Sequence, residues 1–219
     1  MGGLFRYDGL LFRFINKMVD AVGLSLLWLI TSLPLITMGA ATTALYYTTH
    51  KVIHYDRGRV WPEYWKCFLS GFKQATPLGL FLQVLIYLLG ANAYSSYLMV
   101  MSGNATLWIF LTVLIPLVLI LMWAVYLFPL VARFHSSAKA VMKNGFLIAL
   151  WNLPLTLLLV GLFVACVAVV VFVPLSFTYM PVTYMLLSSV ILEKIFPKYM
   201  TPEDLAREQE RNKNAMEDA

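Results

Sequence analysis

The sequence predicts an all-α fold, a polytopic membrane helix bundle, and two observations lead to that prediction. Of the 219 residues, 61% are apolar and only 12% are charged, and the mean hydropathy is +0.78. Soluble domains contain about 25% charged residues. The second observation is that all sixteen Lys and Arg residues fall into four stretches separated by long apolar runs: 6–17, 51–73, 133–143 and 194–213. Helices are the form in which such runs satisfy their backbone groups within lipid.

The first predicted element is an apolar helix that follows a basic, amphipathic lead-in over residues 1–17 and runs to Pro34. Pro34 lacks a backbone N–H and disfavours helix in the residue before it. Residues 39–44 are small or short, a composition that lets helices approach closely in lipid. We interpret this stretch as the turn of a membrane hairpin, and the residues assigned to the break are Pro34, Thr37, Gly39, Ala40, Ala41, Thr42 and Thr43.

The largest polar interruption, residues 50–74, contains five basic residues interleaved with aromatic ones. Pro62 stands where a helix would begin, and the apolar positions 61, 64, 65, 68 and 72 share one helical face. This pattern predicts an amphipathic helix lying at the membrane interface, in the first large cytoplasmic loop.

Four further apolar segments are predicted: residues 77–101, 107–132, 146–173 and 182–196. Asn152 precedes Pro154 in the third of these, and we expect its amide to bond to the backbone that the proline frees. Residues 1–197 form a single membrane domain in this prediction, and residues 198–219 form a polar cytoplasmic tail.

The charges predict the topology, because cytoplasmic loops concentrate Lys and Arg. The turns near 34–38, 102–106 and 174–181 carry no charge. A hairpin at 34–39 places all four basic stretches on one side of the membrane. The prediction is therefore about six segments in three hairpins, with both termini cytoplasmic and with a second segment that is short or re-entrant. Five spans with an external N-terminus is the alternative.

Catalytic and metal-binding chemistry has little support in the sequence, and we expect a protein that is not an enzyme and holds no cofactor or metal. His50 and His54 share a helical face, but no third ligand is evident beside them. His135 has no carboxylate nearby in sequence. Residues 74–132 and 144–192 contain no Asp, Glu, Lys, Arg or His. Ion-coupled carriers usually keep such groups at membrane depth, so coupled transport by this chain alone is disfavoured.

Four stretches in order, 33–47 (LPLITMGAATTALYY), 68–75 (FLSGFKQA), 127–134 (LFPLVARF) and 149–154 (ALWNLP), resemble the YesL-like family of bacterial membrane proteins, also called domain of unknown function 624. The resemblance implies a multi-pass protein of the bacterial cytoplasmic membrane that is often encoded beside sugar ABC importers. It supplies no catalytic residues.

The leading hypothesis is a non-catalytic accessory subunit of a carbohydrate ABC import system, in contact with lipid and with the permease subunits, and without nucleic acid. Residues 139–145 faintly resemble the coupling loop of ABC permeases, with Lys139 in place of an acidic residue. Small residues at 39–44, Gly79 and Gly161 are further candidate contact surfaces. The predicted partner contacts are Trp65, Phe68, Phe72, Lys139, Lys143, Gly145, Asn152 and Pro154. A small autonomous transporter or channel, a membrane-bound regulator and a homo-oligomer remain open.

Overall fold

The computed structural model describes residues 10–54, 59–103, 107–134 and 137–199, and within these ranges the regular structure is entirely helical. The predicted all-α class is thereby confirmed. The α-helices are α1 (Leu10–Ser32), α2 (Met38–Thr48), α3 (Val60–Met101), α4 (Leu107–Arg133), α5 (Ala138–Trp151), α6 (Leu153–Phe172) and α7 (Met180–Ile195). Shorter helical turns cover Leu35–Thr37, Thr49–His54, Pro174–Thr178 and Phe196–Lys198, the second of them with π-helical bonding.

Among the described residues, four helices are long enough and apolar enough to cross a membrane: α1, α3, α4 and α6. The other two predicted membrane segments are shorter, since α2 has 11 residues and α7 has 16. A full crossing of a hydrocarbon core takes about 20 residues. The structure is a helical membrane bundle in which the second segment is short, as the sequence indicated.

The bundle is centred on α2, whose small residues are almost completely buried against α3. Ala40, Ala41 and Ala44 are each at most 1% exposed. Where the two helices cross, their backbones touch at Gly39 and Gly79, and a Cβ atom on Gly79 would lie 2.7 Å from the Cα of Gly39. A Cβ atom on Gly39 would in turn clash with the carbonyl oxygen of Ala75. Only glycine at both positions allows this approach.

The turn between α1 and α2 lies beside the middle of α3. The side-chain amide of Gln83 donates a hydrogen bond to the carbonyl oxygen of Leu35, at 3.0 Å. Beyond Gln83, α3 continues for 18 residues to Met101, a rise of about 27 Å. The first hairpin therefore stops far short of the end of α3. A second segment that stops at this level of α3 is compatible with the short or re-entrant form that the sequence predicts.

Past this level, α3 runs antiparallel to α4. The rings of Phe81 and Trp123 have centroids 6.5 Å apart, and those of Tyr97 and Phe110 are 6.2 Å apart. We call the two outer halves, residues 84–101 of α3 and 107–120 of α4, the arm. The arm extends the bundle beyond the turn of the first hairpin.

The segment predicted as a separate interfacial helix is instead the first part of α3, which continues through Pro77. Proline removes one backbone donor, but long membrane helices tolerate it where neighbouring elements hold the chain on both sides. Here α2 packs on α3 on both sides of that point, with Gly39 against Ala75 and Gly79, and α4 packs on it afterwards, with Trp123 against Phe81. The exposed Trp61, Trp65 and Phe72 still lie on this part of the helix, as the pattern indicated.

Four charged helix ends meet at one end of the bundle. A ring nitrogen of His50 lies 2.6 Å from a carboxylate oxygen of Glu193 at the end of α7. The ammonium group of Lys51 lies 2.8 Å from Glu63 at the start of α3. Arg133, at the end of α4, lies over the ring of Phe196, 5.6 Å from its centroid. The uncharged turns at 33–37 and 174–178 lie at the other ends of α2 and α7.

We predict that Gly39→Ala destabilises the protein, because the added methyl group meets the α3 backbone where nothing can yield. Overpacking of this kind costs about 1–3 kcal/mol. Gly161→Ala is the matched control, since a Cβ there meets nothing within 4 Å. The thermal unfolding midpoint in detergent is expected to fall for Gly39→Ala and to stay level or rise slightly for Gly161→Ala, because alanine favours helix. Equal midpoints for the two variants would show that α2 and α3 are not in backbone contact.

Candidate functional site

One concave feature of the described residues is a cavity of about 440 Å³ that lies between α2, α3 and α4 on one side and α6 and α7 on the other. Its wall also includes Trp28 of α1 and Phe177 of the turn before α7. The remaining lining residues are Met38, Thr42, Leu45, Gly79, Leu82, Gln83, Ile86, Leu121, Ala124, Val125, Phe128, Pro129, Phe163, Cys166, Val167, Val170, Val171, Met180, Pro181, Tyr184, Met185 and Ser188. None of these residues carries a formal charge at neutral pH.

The few polar side chains of the wall are mostly occupied by bonds within the protein. Thr42 donates to the Met38 carbonyl at 2.7 Å and accepts a bond from the indole of Trp28 at 3.2 Å. Gln83 donates to the Leu35 carbonyl, as described above. Ser188 donates to the Met185 carbonyl at 3.0 Å. The wall therefore presents hydrocarbon, together with the Tyr184 hydroxyl and the Cys166 thiol. A sugar would lose its water hydrogen bonds here without replacing them.

The cavity has a closed floor and an open mouth. Leu45 and Leu82, on the α2–α3 side, are 1% and 4% exposed. Val167 and Val171 on α6 are 45% and 71% exposed in the isolated chain. The opening lies along α6, beside the arm.

A second cluster of polar groups lies where the predicted span 146–173 divides into α5 and α6. Pro154 lacks an N–H, and the helix breaks at Asn152. The amide of Asn152 donates to the Ile148 carbonyl and to the Tyr199 hydroxyl, each at 3.0 Å. The Ile148 carbonyl also accepts the backbone N–H of Asn152 at 3.1 Å, so it is not the group that Pro154 leaves without a donor, and the bond to freed backbone stays a prediction. The buried Thr156 hydroxyl donates to the Ala149 carbonyl at 2.9 Å and lies 2.9 Å from the Tyr126 hydroxyl.

Sequence reasoning did not single out Tyr126 or Tyr199 for this cluster. Tyr126 lies 26 residues before the break and Tyr199 lies 47 residues after it. Neither has a local pattern that marks it as polar. The cluster satisfies backbone groups and links three helices, so we assign it a structural role.

The residues predicted to form the hairpin break lie where α1 ends and α2 begins. Thr37 donates to the carbonyl oxygens of Pro34 and Thr31, which ties the turn to the end of α1. Thr43 donates to the Gly39 carbonyl at 2.9 Å. Thr42 reaches the cavity wall, whereas Ala40 and Ala41 are buried in the core.

The predicted partner contacts divide into exposed and internal residues. Trp65, Phe72, Lys139, Lys143 and Pro154 are exposed. The internal ones cannot meet a partner as the protein stands: Phe68 is buried, Asn152 is engaged with Tyr199, and Gly145 packs on Leu130 and Trp123.

The small-residue surfaces also need correction. Gly39 and Gly79 contact each other, so this pair is not available to another chain. Gly161 does remain open on α6. Small residues on two helices 40 positions apart signal close packing, but the sequence does not say whether the packing is internal.

In the described part of the chain, no three His, Cys, Asp or Glu side chains are grouped in a way that could hold a metal ion. His50 is engaged with Glu193. His135 and the side chain of His54 lie outside the described residues.

Comparison with known proteins gave one family match. The family model described as "Protein of unknown function, DUF624" matches residues 21–93, which comprise the second half of α1, the turn after it, α2 and much of α3. No curated protein and no solved structure matches the chain. The matched region contains both glycines of the α2–α3 contact and Gln83 of the cavity wall.

We predict that Gln83→Leu lowers stability, because the Leu35 carbonyl then has no donor from α3 in an apolar setting. Hydrogen bonds between membrane helices contribute about 0.6 kcal/mol on average and up to about 1.7. Asn92→Leu is the control, since Asn92 is exposed on the same helix and bonds only to its own Leu88 carbonyl in the described structure. Thermal unfolding in detergent checks both variants. An equal change in the unfolding midpoint for the two would show that the Gln83 side chain does not stabilise the turn through the Leu35 carbonyl.

Proposed function

We propose that this chain, whose residues 21–93 match the DUF624 family model, is a non-catalytic integral membrane accessory subunit of a carbohydrate ABC import system. Its expected place is the bacterial cytoplasmic membrane, with both termini in the cytoplasm. The role envisaged is to bind the permease subunits and steady their assembly, while the permease itself carries the sugar.

The observation that carries this proposal is the chemistry of the cavity wall. A sugar path needs a series of free hydrogen-bonding groups, and here Thr42, Gln83 and Ser188 are bonded within the chain. Buried polar groups that lack partners cost free energy, so hydroxyl-rich substrates avoid such surfaces. The chain is better suited to contact another membrane protein than to conduct sugar.

Two exposed surfaces support contact with a partner. The arm carries large exposed side chains, among them Tyr87 at 76% and Trp108 at 75% exposed. At the charged end, Trp65 and Phe72 of α3 lie exposed on a helix that also carries Lys66 and Lys73. Aromatic residues beside basic ones are typical of interface anchors and of binding hot spots.

The topology proposed here is supported by the meeting of the helix ends at His50, Lys51, Arg133 and Glu193. Groups that are charged or titratable near neutral pH cost less free energy at the membrane surface than within the hydrocarbon, so this end lies at one face of the bilayer. The excess of Lys and Arg in these loops favours the cytoplasmic face.

The alternative function is a small autonomous transporter or channel, and the cavity of about 440 Å³ is the observation that favours it. Its apolar wall would then select an apolar solute. Flux measurements in proteoliposomes separate the two proposals, because an accessory subunit has no transport activity of its own.

We predict that the tagged chain, purified from its own membranes in mild detergent, brings ABC permease subunits with it in a fixed ratio. The double variant Trp65→Ala with Phe72→Ala is expected to reduce this recovery by about tenfold or more, because aromatic hot spots contribute about 2 kcal/mol or more. Mass spectrometry of the eluate gives the identities and the ratio.

The matched variant on the arm is Leu98→Ala with Met99→Ala, two exposed side chains near the far end of α3. Loss of recovery only in the Trp65 and Phe72 variant assigns the contact to the charged end, and loss only in the Leu98 and Met99 variant assigns it to the arm. Recovery of the chain alone, in every detergent that preserves its fold, would contradict the accessory role.

A further inference from the structure

We propose that the cavity binds one acyl chain of a bilayer phospholipid, drawn from the leaflet next to the uncharged turns. This site is independent of the accessory role, since it rests on the geometry of the bundle and not on any partner. It would make the phospholipid a structural ligand that fills the space between α6 and the α2–α3 pair.

The first step is the size and chemistry of the cavity. Protein interiors are close-packed, and few voids exceed the size of a water molecule. An apolar cavity of about 150 Å³ stays dry and takes up apolar molecules such as benzene. The present cavity is about 440 Å³, with a wall that is apolar apart from a few groups. It therefore favours a hydrocarbon occupant over water.

The second step is the position of the mouth. Leu33, Leu35 and Ile36 in the first turn are 58–74% exposed, and Phe172 and Leu175 near the last turn are 85% and 79% exposed. Such turns would normally carry polar residues if they reached water. The first turn lies opposite Gln83, about 27 Å short of Met101, so lipid surrounds it.

The third step is the absence of charge around the mouth. Residues 74–132 and 144–192 contain no Asp, Glu, Lys, Arg or His, and the lining residues of α3, α4, α6 and α7 all fall within these two stretches. The mouth of the cavity therefore opens onto acyl chains.

The fourth step is the shape of the occupant. The lining residues of α6, from Phe163 to Val171, form a stripe that rises about 12 Å. Half of a hydrocarbon core is about 15 Å thick, so one acyl chain can follow the stripe. The mouth lies along one face of α6, so a single hydrocarbon chain can enter between α6 and the α2–α3 pair.

The test uses the full chain in nanodiscs that contain phosphatidylethanolamine with a diazirine near the end of one acyl chain. After irradiation, peptide mass spectrometry locates the crosslinks. Leu82 and Met185 are the reporters, because they line the cavity and are 4% and 8% exposed. Lipids around the outside of the bundle cannot reach them. The expected result is labelling at these two residues in the wild type.

Two variants fill the cavity from different helices, Ala124→Phe on α4 and Val167→Phe on α6. Each is expected to reduce the labelling of Leu82 and Met185 at least fivefold, while labelling of outward-facing residues stays the same. Ala165→Phe is the matched control, because Ala165 is exposed on the opposite side of α6 and does not line the cavity. Gel filtration identifies the variants that keep the wild-type elution profile. One filled variant that keeps this profile is enough for the labelling test.

Absence of label at Leu82 and Met185 in the wild type would overturn the proposal, and so would equal labelling in the filled variants. Competition with an unlabelled isoprenoid tests the source of the hydrocarbon. If the isoprenoid abolishes labelling and excess unlabelled phospholipid does not, the site belongs to an isoprenoid and the phospholipid assignment is wrong. None of these results depends on recovery of ABC permease subunits.

Discussion

The contact between Gly39 and Gly79 is the constraint on which the rest of the bundle depends. It brings the backbones of α2 and α3 together and so fixes how far the first hairpin reaches along α3. Once Gly39 lies on Gly79, the preceding turn comes beside Gln83, which binds the Leu35 carbonyl. Trp28 of α1 is then within reach of Thr42 and Phe177. The cavity is the space that this arrangement leaves between the first hairpin and α6.

The sequence predicted much of this fold because the relevant signals are local. Low charge content and long apolar runs indicate membrane helices, and Pro34 with the small residues after it indicates a break. The spacing of basic residues indicates which helix ends lie together. The structure places charged groups from four helix ends side by side, in agreement with that pattern.

The parts that sequence reasoning missed depend on distant partners. Pro77 looked like the start of a span, yet α3 continues through it because α2 and α4 hold it on both sides. Gly39 and Gly79 looked like surfaces for another protein, although each is the other's partner. The division at Asn152 needed Tyr126 and Tyr199, which lie far away along the chain. The cavity could not be predicted at all, since it is formed by gaps between six helices.

The accessory role is proposed because of where the chain has polar atoms available for contacts with other molecules. Inside the membrane part, hydroxyl and amide groups mostly serve the chain's own carbonyls, so the interior is suited to hydrocarbon. At the charged end, exposed aromatic and basic side chains are suited to headgroups or a protein partner.

The depth of the first turn is the central claim, and a spin label measures it most directly. Labels are placed at Ile36 and at Met101, one at a time, in a variant whose Cys67 and Cys166 are replaced by Ala. In lipid, the label at Ile36 is expected to be accessible to oxygen and shielded from a water-soluble nickel complex. The label at Met101 is expected to meet the nickel complex readily. Equal access of the nickel complex to both labels would contradict the account, because the first hairpin would then cross the membrane completely.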